Sequence, residues 1–399
     1  MQWKISRWMS LPARRISRVF VVGAAVTMAW LGVSGCSRLH PRPADKYVYV
    51  TARQTFLRDR VAAVSNRTGE VTNGEKLVVL ERARRFVKVR TPRGEIGWIE
   101  EKLTADQALA DKFDALRVAH QSDPTVAQAT ARDEVYLHIA PGRETDRFFR
   151  LAEGDKLSLL SRAIVAKPVP PGAVVAKAAA AEAGKAESDA AAPVLEDWWL
   201  ARDAKGDTGW IYSHLIDVDA PDALTRYAEG QRIVGAYVLA KVDDPDSGML
   251  NNGVTVTSIP EYVTVLSPYK AGLPYDFNQV RVFTWNVKKH RYETAFREHD
   301  VAGYLPVTIA SKTDPYGHAA DSAVPLPTFS YKILAGDAML PQPDPETGAL
   351  MTGKMVTKTY RLNGNICQRI LAPGTPAPEE LHPDPEVDKK DKGKKGKKK

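Results

Sequence analysis

Covalent chemistry in this chain would have to come from few residues, since 399 positions hold two cysteines and eight histidines. Cys367 could act as a thiol nucleophile if His290, His299 or His318 drew off its proton, because the thiolate is the reactive form. Its surroundings point elsewhere. Cys367 follows Ile366 in an apolar, strand-like run, where a free cysteine serves as a small buried hydrophobe. His290 lies in Lys288-Lys289-His290-Arg291, which reads as a solvated turn. The chain has no Gly-x-Ser-x-Gly, no paired-histidine metal motif and no glycine-rich phosphate loop. These absences predict a protein that binds rather than catalyses, with no cofactor and no metal.

Aromatic residues are the better candidates for chemistry, and an internal repeat positions them. Gly74-Glu75-Lys76-Leu77-Val78-Val79-Leu80 is followed by Arg90-Thr91-Pro92-Arg93-Gly94-Glu95-Ile96-Gly97-Trp98-Ile99. Later, Gly154-Asp155-Lys156-Leu157-Ser158-Leu159-Leu160 is followed by Arg202-Asp203-Ala204-Lys205-Gly206-Asp207-Thr208-Gly209-Trp210-Ile211. Leu57 to Leu80 aligns onto Leu137 to Leu160 without a gap at an offset of 80, whereas Gly94 and Trp98 meet Gly206 and Trp210 at an offset of 112. The second copy thus carries 32 extra residues between its halves. Self-similarity in this order implies two copies of one small module. Within each copy, Gly turns alternate with apolar runs of strand length, the grammar of a short-stranded barrel.

The Gly-x-x-Gly-Trp that follows an apolar strand pair resembles the bacterial Src-homology-3-like (SH3b) domains of cell-envelope proteins. The resemblance covers residues 47–104 and 131–218, and the second copy carries an Ala-rich insert over 163–193. It implies two small SH3-like barrels that hold peptidoglycan or a peptide ligand. Trp98 and Trp210 of the repeated motif are expected first as core plugs of their own barrels and second as ligand contacts. Phe56 and the loop from Arg58 to Asn73 are natural walls of a groove. Phe148 and Phe149 replace polar residues of the first copy and would touch a ligand or a neighbouring domain. In Trp198-Trp199-Leu200, strand alternation turns one indole to the core and the other outward, and Trp199 is the expected ligand contact. Cell-wall cysteine peptidases that accompany such modules place their Cys before the His, the reverse of the order here. An accessory subunit of a cell-wall hydrolase, or a cryptic hydrolase, is the alternative to a non-enzymatic binder.

Between the copies, residues 105–130 form a connector. Ala105 to His120 predicts a helix with Leu109, Phe113 and Leu116 on one stripe. From residue 223 to 372, seven or eight strands rich in β-branched and aromatic residues predict a β-sandwich or open barrel, with Asn363-Gly364 turning the last hairpin. The whole chain therefore reads as mainly β.

Both ends carry addresses. Residues 1–35 hold five basic residues and no acid, then an apolar run from Val19 to Val33, as in an export signal. Val33-Ser34-Gly35-Cys36 resembles the lipobox of bacterial lipoproteins, which implies that Cys36 is acylated and tethers the protein to a membrane through residues 36–46. The resemblance places the protein in a bacterial envelope, on the outer membrane facing the periplasm if there are two membranes. Residues 373–399 read as a disordered tail, and the last eleven hold eight Lys and one Asp, a charge able to meet anionic lipid or an acidic polymer. Without the two ends, the formal charge of +8 falls to −4 for residues 36–388, which speaks against a nucleic-acid partner.

Overall fold

The computed structural model describes residues 47–62, 65–168, 193–251, 253–317 and 320–382. The signal segment, Cys36 and the Lys-rich end lie outside them. Within the described residues the protein is mainly β, as the strand patterns predict.

Module one has seven strands: β1 (Tyr47–Val50), β2 (Gln54–Arg58), β3 (Arg67–Thr72), β4 (Lys76–Ala83), β5 (Phe86–Arg90), β6 (Ile96–Glu100) and β7 (Thr104–Asp106). They join in the order β3-β2-β6-β5-β4-β1-β7. Alternation drives Val48, Val50, Leu57, Leu77, Val87, Val89 and Ile99 into one core. Gly74 and Gly94 turn the chain at φ 81° and 88°, where a side chain would be strained.

A helix, α1 (Gln107–Ala119), follows. Asp106 caps it by accepting from the Leu109 N–H, and Phe113 is its most buried residue. Module two then repeats the plan with β8 (Ala127–Ala131), β9 (Val135–His138), β10 (Arg147–Leu151), β11 (Lys156–Ala166), β12 (Leu195–Asp203), β13 (Thr208–Tyr212) and β14 (Ile216–Val218). Their order, β10-β9-β13-β12-β11-β8-β14, matches that of module one strand for strand. β8 corrects the expected boundary at 131, because it lies inside the span assigned to the connector. Its alternating Ala residues carry little strand propensity, yet it sits 80 positions after β1, as the repeat demands.

The insert also begins later than residue 163. β11 runs to Ala166 and pairs through Leu195, so Ala163 to Ala166 belong to a hairpin arm. That arm docks on the third domain, where the Ile164 N–H donates to Gly348 O at 2.7 Å and Ala163 bridges Ala349.

After α2 (Asp222–Thr225), the third domain is a meander of β15 (Arg232–Asp243), β18 (Ser258–Ser267), β19 (Phe277–Asn286), β20 (Arg291–Lys312), β21 (Leu326–Leu334), β22 (Met355–Asn363) and β23 (Ile366–Arg369). A small hairpin of β16 (Leu250–Asn251) and β17 (Val254–Thr255) stands apart. A sandwich is excluded, since the seven strands follow one another in a single sheet. The sheet curls: Val234 and Leu239 of its first strand share a core with Tyr360 and Leu362 of its sixth. The longest strand, β20, runs unbroken for 22 residues from Arg291 to Lys312.

The tail was expected to begin at 373, but residues up to 382 are docked. Glu380 bridges Ala335 and accepts from Lys358 Nζ at 2.8 Å and Arg369 Nη1 at 3.2 Å. Lys358 is itself buried and bonds Glu298 as well. Burial alone would pull its ammonium down, but these carboxylates raise it above its ordinary value. Composition could not show this, because the holding charges are distant in sequence.

Candidate functional site

The repeat builds the same outer face twice. On module one, Leu57 and Ile99 point into the core, so their neighbours Phe56, Arg58 and Trp98 point out. Arg58 stands directly across the strand pair from Trp98, and Lys88 flanks it on the other side. Gly97 permits this approach, because a Cβ there would lie 2.7 Å from the Leu57 Cβ. The Arg67 guanidinium sits 3.8 Å above the Phe56 ring, and Lys88 Nζ is 5.8 Å from the Trp98 ring. Neither Arg67 nor Lys88 forms an ion pair among the described residues. The result is an aromatic and cationic face, suited to flat or apolar groups that also carry a carboxylate.

Phe56, Arg58 and Arg67 recur as Tyr136, His138 and Arg147, with Arg147 stacked 5.0 Å over Tyr136. Trp98 recurs as Trp210, which pairs with His138. This second face is covered at His138, while Tyr136 and Trp210 stay half-buried and Arg147 exposed. Trp198 turns outward but is 2% exposed, packed on His138 at 5.1 Å and Tyr212 at 5.7 Å. Arg143 lies over the Tyr212 ring at 4.7 Å and binds buried Glu196 at 2.9 Å. Burial first, and the Arg147 charge second, push the His138 imidazole below its ordinary range, so it is neutral at pH 7.

The expectation that Trp199 faces out is corrected. Alternation holds, but Trp199 is the inward member, part of the core of module two and 6% exposed. Phe148 is likewise buried, 5.7 Å from Phe113 and 5.9 Å from Tyr49. Phe149 meets Phe113 edge-on at 5.5 Å. Both phenylalanines therefore bind module two to α1 and module one. Asn73 completes this seam: its Nδ2 donates to Phe148 O at 3.1 Å and its Oδ1 accepts from the Arg150 N–H at 3.0 Å. Trp98 is buried, at 9% exposed, beside rather than within the core cluster of module one, with Lys88 Nζ 5.8 Å from its ring. Trp210 is half-buried.

Sequence reasoning did not single out Arg67, Arg147, Tyr136 or Asn73 for these roles; Arg67 and Asn73 entered it only within the loop from Arg58 to Asn73. The first three had a readable signal, since Phe56/Tyr136 and Arg67/Arg147 share the 80-residue offset of the repeat.

The catalytic candidates are scattered. Cys367 pairs with Leu362 and packs on the core of the third domain, and burial pushes its thiol up to about 12. His290 does lie in a turn, at φ 46°, but its Nδ1 is 2.8 Å from Asp244 Oδ2. Asp244 is buried and also accepts from Trp285 Nε1 at 2.7 Å. Burial opposes its charge, yet these hydrogen bonds hold its carboxyl below the ordinary value. His299 is exposed beside Asp300, and His318 lies outside the described residues. Among the described residues, no group of His, Cys, Asp and Glu converges as a metal set.

Residues 55–105 match the family described as "Bacterial SH3 domain", a span that runs from β2 through β7. No curated protein matches the chain. Among solved structures, an NlpC/P60 family protein from Bacillus cereus ATCC 10987 is similar at 12% identity and a TM-score of 0.21, over 62% of this chain and 98% of that one. NlpC2 from Trichomonas vaginalis is similar at 10% identity and a TM-score of 0.14, over 46% of this chain. The chain spans about half of that protein's length, 54%.

Proposed function

We propose that this is a lipid-anchored, non-enzymatic protein of a bacterial envelope, whose first SH3-like module binds peptidoglycan and whose second is a family relative turned to a structural role. The observation that carries the reading is the face of Phe56, Arg67 and Lys88 beside a largely covered Trp98, on the module that matches the bacterial SH3 family. Peptidoglycan offers apolar sugar faces and free carboxylates, the two groups that such a face complements. The tandem arrangement is supported by the identical strand order of the two sheets. Lipid attachment rests on the sequence around Cys36, and an auxiliary anionic contact rests on Lys389 to Lys399. A non-catalytic role is supported by the protonated Cys367 and the dispersed histidines.

Sedimentation with purified peptidoglycan tests the reading. Full-length protein should pellet with the polymer and release no soluble fragments. Phe56→Ala should lower retention about tenfold, the effect of losing roughly 1.4 kcal/mol. Retention unchanged by Phe56→Ala, or solubilised muropeptides, would overturn it.

A further inference from the structure

The curled sheet of the third domain has a hollow of about 560 Å³ at one end, where β15, β18, β19 and β21 meet the β22–β23 turn. Small-ligand sites of this size favour the mouths of β-barrels. Val242, Leu326 and Leu362 give the hollow apolar wall, and Glu261 of β18 lies among them at 5% exposure. Glu261 stands opposite Ala240 in the ladder and shares its side of β18 with Val263, which is buried in the sheet's core. Its carboxyl therefore points to the inner side of the curl. Its one hydrogen bond among the described residues comes from the Trp285 N–H to Oε1 at 3.0 Å. Oε2 takes none, yet it is not one of the polar atoms sealed from solvent, so it opens on the hollow.

No neighbour neutralises this carboxylate. Glu293, also on the wall, is engaged by Asn286, Lys289 and Arg291. Lys241 and Lys288 line the hollow as well, but both are exposed, and neither forms an ion pair among the described residues. A buried carboxylate without a countercharge is costly, and burial raises Glu261 above its ordinary value. A hard metal ion would need several oxygens, and among the described residues no metal-ligating group converges here. An ammonium needs only one free carboxylate oxygen. The hollow is thus acidic where it is sunken, apolar along its wall, and basic where it is exposed.

We propose that this hollow binds a small zwitterion, with an ammonium at one end of an apolar stem donating to Glu261 Oε2 and a carboxylate at the other end meeting Lys241 or Lys288. The site is separate from the face of module one, and the inference does not depend on peptidoglycan binding there.

The test is a chemical-shift titration of full-length protein with ε-aminocaproate, caproate and hexylammonium, read at the Trp285 amide. ε-Aminocaproate should bind saturably, and caproate at least about tenfold more weakly, because it cannot make the charge-assisted bond to Glu261. Glu261→Gln keeps an acceptor for the Trp285 N–H and should weaken ε-aminocaproate by a similar factor, with its melting temperature not lowered. Replacing Lys241 and Lys288 together by Ala should weaken ε-aminocaproate without weakening hexylammonium. Phe56→Ala should bind as the wild type does. Equal binding of ε-aminocaproate and caproate, full binding by Glu261→Gln, or no binding of any probe would each overturn the proposal, the last by leaving Glu261 as a protonated acid that faces water.

Discussion

Module one and module two share strand order, turn glycines and an aromatic face, yet position 82 and its repeat, position 162, carry the same residue to opposite ends. Arg82 pairs with Glu101 on the surface, both about half exposed at 48% and 53%. Arg162 is 4% exposed and ties Asp197, Asp276 and the carbonyls of Leu273 and Tyr275 across the junction with the third domain. The strand context is equivalent, since Arg82 pairs with Val87 and Arg162 with Trp199. What differs is the neighbour. In module two this outer residue is turned toward the rest of its own chain.

The largest way to break this contrast is to remove the two arginines. Arg162→Ala should cost about 3 to 5 kcal/mol, because it leaves Asp197 buried beside a weakened set of partners. Arg82→Ala should cost under about 0.5 kcal/mol, as exposed pairs do. Urea denaturation measures both, and similar losses would show that the junction is not what holds Arg162 in place.

Trp199→Ala should cost about 3 to 5 kcal/mol with peptidoglycan retention unchanged, the mark of a core indole. Lost retention with intact melting would return Trp199 to the ligand face.

A smaller effect sharpens the division of labour. Trp98→Ala should reduce sedimentation with peptidoglycan, and Trp210→Ala, on module two, should leave it intact. Equal losses from both would mean that module two also binds.

The smallest effect depends on pH. Burial, with Asp203 nearby, pushes the Asp207 carboxyl up to about 6, while Glu95 at the same place in module one pairs with Arg93 at 3.3 Å. The folded state therefore disfavours the charged Asp207, so its contribution worsens as pH rises from about 4 through about 6 and is constant above. Asp207→Asn should raise the melting temperature at pH 7.5 and leave it nearly unchanged at pH 4. A gain of equal size at both values would assign the effect to something other than ionisation.

Much of the fold was legible because local patterns agreed with the final packing. The glycine turns, the offset of 80 and the alternation of β-branched residues placed most of the strands and the α1 helix. The site was legible only by half. Phe56 is half-buried and Trp98 buried on the outward side of their strands, and strand alternation separated Trp198 from Trp199. Alternation gives a side, however, not an environment. Trp198 is outward yet buried because Arg143, Glu196 and Tyr212 fold over it, and none of these is its sequence neighbour except Glu196. Asn73 shows the same limit, since its role exists only once module two has been placed against it.

The β11–β12 arm has a practical consequence. Ala166 and Leu195 are directly opposite one another in the ladder, so the chain leaves the body and returns at one point. Closing a loop there costs only slowly more as the loop lengthens. The root of the arm is thus a port: a foreign domain or an affinity tag spliced between residues 169 and 192 would leave both strand ends in register, and would let this protein be followed in the cell without touching either terminus.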